Sequence, residues 1–182
     1  MGSEREQLVV DFNDTGRQSF QPQPIHQLFE QQANRCPDAV AVVVDDEQLT
    51  YGHLDRRANQ LAHHLQRLGV GPDQLVALCL ERSTDLMVGL LGILKAGGAY
   101  LPLDPALPHS RLAGMLADAQ PRVVLTEQSL VRRLPAFAGP VRCLDSNWSQ
   151  IESENDRAPC SGVAPENLIY TLFTSGSMGQ PK

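Results

Sequence analysis

The densest concentration of chemistry-bearing residues is Thr174-Ser175-Gly176-Ser177-Met178-Gly179-Gln180-Pro181-Lys182, at the end of the 182-residue sequence. The run before it, Asn167-Leu168-Ile169-Tyr170-Thr171-Leu172-Phe173, reads as a buried strand. Glycines just past a strand end let backbone N–H groups approach phosphate oxygens closely, and Ser and Thr hydroxyls add donors. A polyphosphate site needs both. The two common phosphate loops are excluded. A Walker A loop places Lys directly after Gly, whereas Pro181 precedes Lys182 here, and a G-x-G-x-x-G dinucleotide fingerprint is also missing. On residue types alone, an ordinary Ser/Thr/Gly turn remains the competing reading.

Other reactive side chains have quieter explanations. Leu94 to Pro105 reads as a helix end, a Gly97-Gly98 turn, a buried strand and an Asp-Pro stop, with nothing that demands catalysis. Leu49 to Leu54 reads as a helix start capped by Thr50. His63 and His64 are adjacent on a helix and cannot share a metal-binding face. With His26, His53 and His109 they are expected at or near the surface. Cys36, Cys79, Cys143 and Cys160 are scattered without a C-x-x-C pair, as for free thiols in a reducing cytoplasm. No catalytic residue and no metal ligand is assigned.

The positioning elements follow from periodicity. Ile25, Leu28, Phe29 and Ala33 have helical spacing, stopped at Cys36-Pro37-Asp38. Ala39 to Val44 is a strand that returns after Asp45-Asp46-Glu47 through Gln48-Leu49-Thr50. Leu54, Ala58, Leu61, Ala62, Leu65 and Leu68 give one apolar helix face, ended by Gly69 and Gly71-Pro72. Gln74 to Leu80 is a strand, and Ser83 or Thr84 caps a helix carrying Leu86, Met87, Leu90, Leu91 and Leu94. Ala99 to Leu103 is a strand. Pro108, His109 and Ser110 open a helix with Leu112, Met115, Leu116 and Ala119. Arg122 to Thr126 is a strand, a short helix reaches about Leu134, and Val141 to Leu144 is a strand. Residues 146–165 read as a polar connector without clear structure. Strands alternating with helices predict an α/β fold with a largely parallel, doubly wound sheet.

Composition excludes several functions. With 42% hydrophobic and 20% charged residues the chain can bury a core. The net charge is −6 and the basic pairs Arg56-Arg57 and Arg132-Arg133 are isolated, read as solvated faces, so a nucleic-acid footprint is missing. No apolar run reaches membrane-spanning length, and the first residues lack the apolar core of a signal peptide.

Taken together, Leu94 to Asp104, Thr174 to Lys182 and Leu49 to Leu54 resemble the adenylation domains of nonribosomal peptide synthetases, within the adenylate-forming superfamily that includes acyl-CoA ligases and luciferases. The resemblance extends over nearly the whole chain. Phe12-Asn13-Asp14-Thr15 is similar to the end of a linker from a preceding condensation domain, making residues 1–23 a linker and 24–182 the N-terminal part of the domain. The Phe12 linker and Lys95-Ala96-Gly97-Gly98-Ala99-Tyr100 favour the peptide-synthetase branch over an acyl- or aryl-acid ligase. The resemblance implies ATP with Mg2+, an amino-acid substrate activated as its adenylate, and a carrier-domain phosphopantetheine thiol as acceptor, in antibiotic or siderophore biosynthesis. It places Thr174, Ser175, Gly176, Ser177, Met178, Gly179 and Lys182 in the loop that holds the β- and γ-phosphates.

Two departures accompany it. Met178 stands where the family has Thr or Ser, and a thioether cannot donate to phosphate. The family pattern also continues well past Lys182, through the amino-acid pocket and a C-terminal subdomain, so the chain reads as a fragment without turnover of its own. The remaining reading is a non-catalytic binding module. The segment at Ala106, Pro108 and Arg111 resembles the family's docking surface for MbtH-like proteins, and by turn chemistry alone it is a Pro-stopped loop and helix start.

Overall fold

The computed structural model describes residues 7–8 and 22–174. Helix α1 (Ile25–Arg35) starts behind Pro24, whose φ of −55° is already helical in value. A hairpin follows, β1 (Val40–Val44) antiparallel to β2 (Glu47–Thr50), turning at Asp45 with φ 50°. Thr50 ends the hairpin and caps α2 (Tyr51–Arg67), its Oγ1 accepting from the His53 amide at 3.2 Å. The Leu54, Ala58, Leu61, Ala62 and Leu65 stripe of α2 is fully buried.

Four short strands build the main sheet: β3 (Leu75–Leu78), β4 (Ala99–Pro102), β5 (Val123–Thr126) and β6 (Val141–Cys143). All neighbours are parallel, in the order β4-β3-β5-β6. Helix α3 (Thr84–Ala96) links β3 to β4, and α4 (His109–Ala119) links β4 to β5. Ser83 Oγ caps α3 through the Leu86 amide at 3.3 Å, and Gly97 ends it with φ 94°.

Alternation along β3 divides the interior in two. Val76 and Leu78 meet α2 and α3 through Leu61, Leu65, Val88 and Ile93. Ala77 and Cys79 face the other way, toward Leu112, Met115 and Leu116 of α4. Helices cover both faces, so the strands are apolar on both sides, as the doubly wound expectation requires. Helices α2 and α3 approach so closely that a Cβ at Gly92 would lie 2.7 Å from Leu61 Cδ2. That contact is the reason for a glycine inside an α-helix, which otherwise costs up to about 1 kcal/mol relative to Ala.

Several local expectations are corrected. The helix expected to reach Leu134 is a three-residue 3-10 turn, Val131–Arg133. The connector over 146–165 begins with a short helix, α5 (Trp148–Ile151), and is tied down beyond it. Arg57 is not a solvated surface charge: its guanidinium lies 4.1 Å from the centre of the Trp148 ring and 2.9 Å from Asp85 Oδ1. His26 and His64 are buried, because both rings lie on helix faces that other elements cover.

Candidate functional site

Leu168 to Thr174 runs alongside β4 and ends at the carboxyl edge of the sheet. The Tyr100 amide donates to Ile169 O at 3.0 Å, the Thr171 amide donates to Tyr100 O at 3.0 Å, and the bridge between Tyr100 and Tyr170 is parallel. The two tyrosine rings sit with centroids 5.7 Å apart. The expected buried strand is therefore a single bridge on the outer side of β4. Leu168, Tyr170 and Leu172 stay about half exposed, at 49%, 51% and 54%, because nothing among the described residues covers their far side.

A parallel bridge carries Thr174 toward the end where β4 runs into Leu103 and Asp104. Parallel α/β sheets bind ligands outside the carboxyl ends of their strands, where loops diverge. A shallow cleft of about 360 Å³ opens there, lined by Asp104, Leu107, Arg111, Met115, Leu172 and Phe173. Thr174 is exposed at its edge. Ser175, Gly176, Ser177, Met178, Gly179 and Lys182 lie outside the described residues, as does the linker segment up to residue 21 apart from residues 7–8. Ala106 and Pro108 are exposed on the loop before α4, and Arg111 is half-buried in the cleft wall.

The connector leading to this segment is strapped along α2. Gln60 Nε2 donates to Glu152 O at 2.7 Å, Asn59 Nδ2 to Asp156 O at 2.7 Å, His63 Nε2 to Arg157 O at 3.0 Å and Gln66 Nε2 to Cys160 O at 3.1 Å. These four side chains share one helical face, at positions separated by one, three and three residues. Glu154 adds an ion pair with Arg67 and lies 3.5 Å from His64 Nδ1. The strap then crosses Gly97, where a Cβ would come within 3.1 Å of Ser161 O. Farther along, Asp73 receives the chain: its Oδ1 accepts from the Leu168 amide at 2.9 Å and its Oδ2 from Asn167 Nδ2 at 3.0 Å.

Beneath the strap, Lys95 is completely buried and surrounded by acceptors. Its Nζ lies 2.6 Å from Glu30 Oε1, 2.9 Å from Asp55 Oδ1 and 2.8 Å from Asn59 Oδ1, with the Phe29 ring centre at 6.0 Å. Because Asn59 also holds Asp156 O, the ion cluster and the strap share a residue. Sequence reasoning passed over Asn59 and Asp73 and gave Lys95 no ionic role. A lone Lys near a helix end, a helical Asn and a post-Pro Asp carry no spacing signal until the fold brings their partners together.

Among the described residues no cluster of three or more His, Cys, Asp or Glu side chains could hold a metal ion, and no helix is long and apolar enough to cross a membrane.

The architecture is thus a doubly wound α/β unit whose last described segment, Leu168 to Thr174, leads to the carboxyl edge of its parallel sheet, the end at which such sheets bind nucleotides. Residues 29–182 match the model of the AMP-binding enzyme family, and the chain belongs to that family. It is 50% identical over 180 residues to one of the linear gramicidin synthase proteins of Brevibacillus parabrevis, covering 99% of this chain and 4% of that protein. Chondramide synthase cmdD of Chondromyces crocatus is 47% identical over 182 residues, 98% of this chain and 5% of its own length. Among solved structures, the nonribosomal peptide synthetase FmoA3 in its AMPPNP-bound form superimposes with a TM-score of 0.85 at 32% identity, over 94% of this chain and 18% of that one. The N-terminal subdomain of Klebsiella oxytoca NpsA gives a TM-score of 0.74 at 25% identity, over 90% of this chain and 41% of that one. The chain spans a small part of each of these relatives. Its fold is that of the N-terminal subdomain of an adenylation domain.

Proposed function

We propose that this chain serves as the N-terminal part of an amino-acid-activating adenylation domain, residues 24–182 forming the domain part and 1–23 the linker before it. The observation that carries this reading is the parallel placement of Leu168 to Thr174 beside β4, which brings the start of the Ser/Thr/Gly loop to the carboxyl edge of the sheet. The loop's donor set suits a polyphosphate: hydroxyls of Thr174, Ser175 and Ser177, backbone amides freed by Gly176 and Gly179, and the Lys182 ammonium.

In the proposed reaction an amino-acid carboxylate attacks the α-phosphorus of ATP, the bond to the bridging oxygen breaks, and pyrophosphate leaves. The loop residues contribute by holding the β- and γ-phosphates while negative charge grows on the departing group. Mg2+ would accompany the phosphates; no described residue is assigned to it. The aminoacyl group then passes to a carrier-domain phosphopantetheine thiol. Identity to peptide synthetases along 98–99% of the chain favours this branch over an acyl- or aryl-acid ligase.

Amino-acid-dependent ATP–pyrophosphate exchange tests the proposal, measured on this chain and on a longer polypeptide that continues it through the C-terminal subdomain. Exchange in the longer form supports the reading, and exchange in neither overturns it. The second proposed contact is an MbtH-like protein docking at Ala106, Pro108 and Arg111, two of which are exposed beside the cleft. Co-purification lost on Ala106→Glu would support it, and failure of the unaltered chain to co-purify would remove it.

A further inference from the structure

We infer that Asp73 is a positioning residue for the segment Leu168 to Thr174 that leads into the Ser/Thr/Gly run, fixing the register in which it lies against β4. The inference rests on the nucleotide reading above for its functional consequence. Its structural half stands on contacts alone.

Gly71-Pro72-Asp73-Gln74 forms a tight turn in which the Gln74 amide donates to Gly71 O at 3.1 Å. Pro72 pre-sets the second position, and Asp73 occupies the third with φ 61°. A left-handed Asp is uncommon and is retained where its side chain makes local bonds. Here the turn touches two chain segments at once. Gln74 O accepts from the Ala99 amide at 2.9 Å, fixing the start of β4. The neighbouring Asp73 carboxylate accepts from the Leu168 amide and from Asn167 Nδ2, fixing the start of the incoming segment. Two consecutive residues of one turn therefore set where both begin.

Elsewhere along this segment the register is held by the Tyr100 pairing, the Tyr100–Tyr170 ring contact and Phe173, which packs against the core cluster of Leu112 and Met115. The segment's only backbone pairing on β4 among the described residues is around Tyr100, and Leu168, Tyr170 and Leu172 are half exposed, so among those residues only Asp73 and Asn167 hold its starting end. A slip of one residue reverses which face each side chain occupies. It would turn Thr174 away from its present side of the sheet. The carboxylate of Asp73 opposes this at the segment's start, reinforced by Asn167 Oδ1, which accepts from the Ala164 amide at 2.8 Å.

The test compares Asp73→Gly and Asp73→Asn in the full chain, each checked for folding by circular dichroism. Both substitutes tolerate a positive φ, so the turn survives and only the acceptors change. Asn keeps one oxygen for the Leu168 amide. In Asp73→Gly, hydrogen exchange at the Leu168 and Thr171 amides is expected to quicken about tenfold while β3 and β5 amides stay protected. ATP affinity, measured by titration calorimetry on the longer polypeptide carrying the same substitution, is expected to fall about fivefold, the equivalent of one lost hydrogen bond. Asp73→Asn is expected to restore most of both. Unchanged exchange in Asp73→Gly overturns the inference. Faster exchange with unaltered ATP affinity also overturns it, reducing Asp73 to a structural anchor. If the unaltered longer polypeptide binds no ATP while exchange still quickens, the nucleotide reading fails and the functional role of Asp73 falls with it.

Discussion

The Lys95 ammonium lies 2.6 Å from Oε1 of Glu30, joining α3 to α1 across 65 residues of sequence. Asp55 completes the group from α2, so one buried cation ties three helices together. Both carboxylates keep partial solvent contact, at 23% and 21% exposure, which limits what their desolvation costs.

Replacing Lys95 by Ala leaves two partly buried carboxylates facing each other without a cation. Removing one partner of a buried ion pair costs about 3–5 kcal/mol when fully desolvated, and the exposure of these carboxylates places the expected loss toward the lower end. Urea titration of Lys95→Ala checks it. The triple variant with Glu30→Gln and Asp55→Asn should recover part of the loss, because the uncompensated charges are gone.

Burial lowers the His64 imidazole below its ordinary pKa, with the Arg142 and Arg67 charges adding to the effect. Arg142 Nε donates to His64 Nε2 at 3.1 Å, which requires that nitrogen to be unprotonated. The unfolded ring binds a proton near pH 6.5 and the folded ring only at lower pH, so the unfolded state holds more protons between the two values. His64's contribution to stability is complete above about pH 6.5 and is lost as pH falls toward the lowered folded value. The urea midpoint should drop between pH 7.5 and 5.5. His64→Gln should flatten that slope in part, the remainder coming from His26 and His53, which burial also lowers.

The four thiols differ sharply in reactivity by position. Cys79 is buried on β3's C-terminal side, and burial, with the nearby charges of Glu81, Asp104 and Glu127, pushes its pKa up to about 11. Burial raises Cys143 as well, whereas Cys160 is exposed on the strap. The thiolate is the reacting form. Iodoacetamide at pH 8 should therefore label Cys160 first and leave Cys79 unmodified in the folded chain, as read by peptide mass spectrometry. Rapid labelling of Cys79 without denaturant would contradict its burial.

Met178 places a thioether in a run of phosphate-type donors. Met178→Thr adds one hydroxyl. If that hydroxyl reaches phosphate, ATP affinity should rise by about 1–2 kcal/mol, or roughly 5- to 30-fold. Titration calorimetry on the chain, or the ATP KM of a longer polypeptide containing it, reads the difference. An unchanged value would show that position 178 does not contact phosphate.

Sequence alone determined the order of the main strands and helices up to β6, both side-chain-capped helix starts, the glycine ends of α2 and α3, and the doubly wound class. These are local matters: Thr50 and Ser83 reach amides three residues ahead, and Gly69 and Gly97 adopt φ of 85° and 94° where a side chain would be strained. The Ser/Thr/Gly run is a phosphate-type candidate by residue type, and all of it beyond Thr174 lies outside the described residues. Tertiary structure decided what depends on distant partners. The polar connector is not structureless, because Asn59, Gln60, His63 and Gln66 offer it side-chain donors from a helix more than 90 residues earlier. Lys95, read in the sequence only as part of a helix-end resemblance, is the most enclosed charge among the described residues, and α1 and α2 bring carboxylates to it. Leu168 to Phe173 has the composition of a buried strand yet remains half exposed, because burial requires a neighbour on each side and apolar composition cannot supply one.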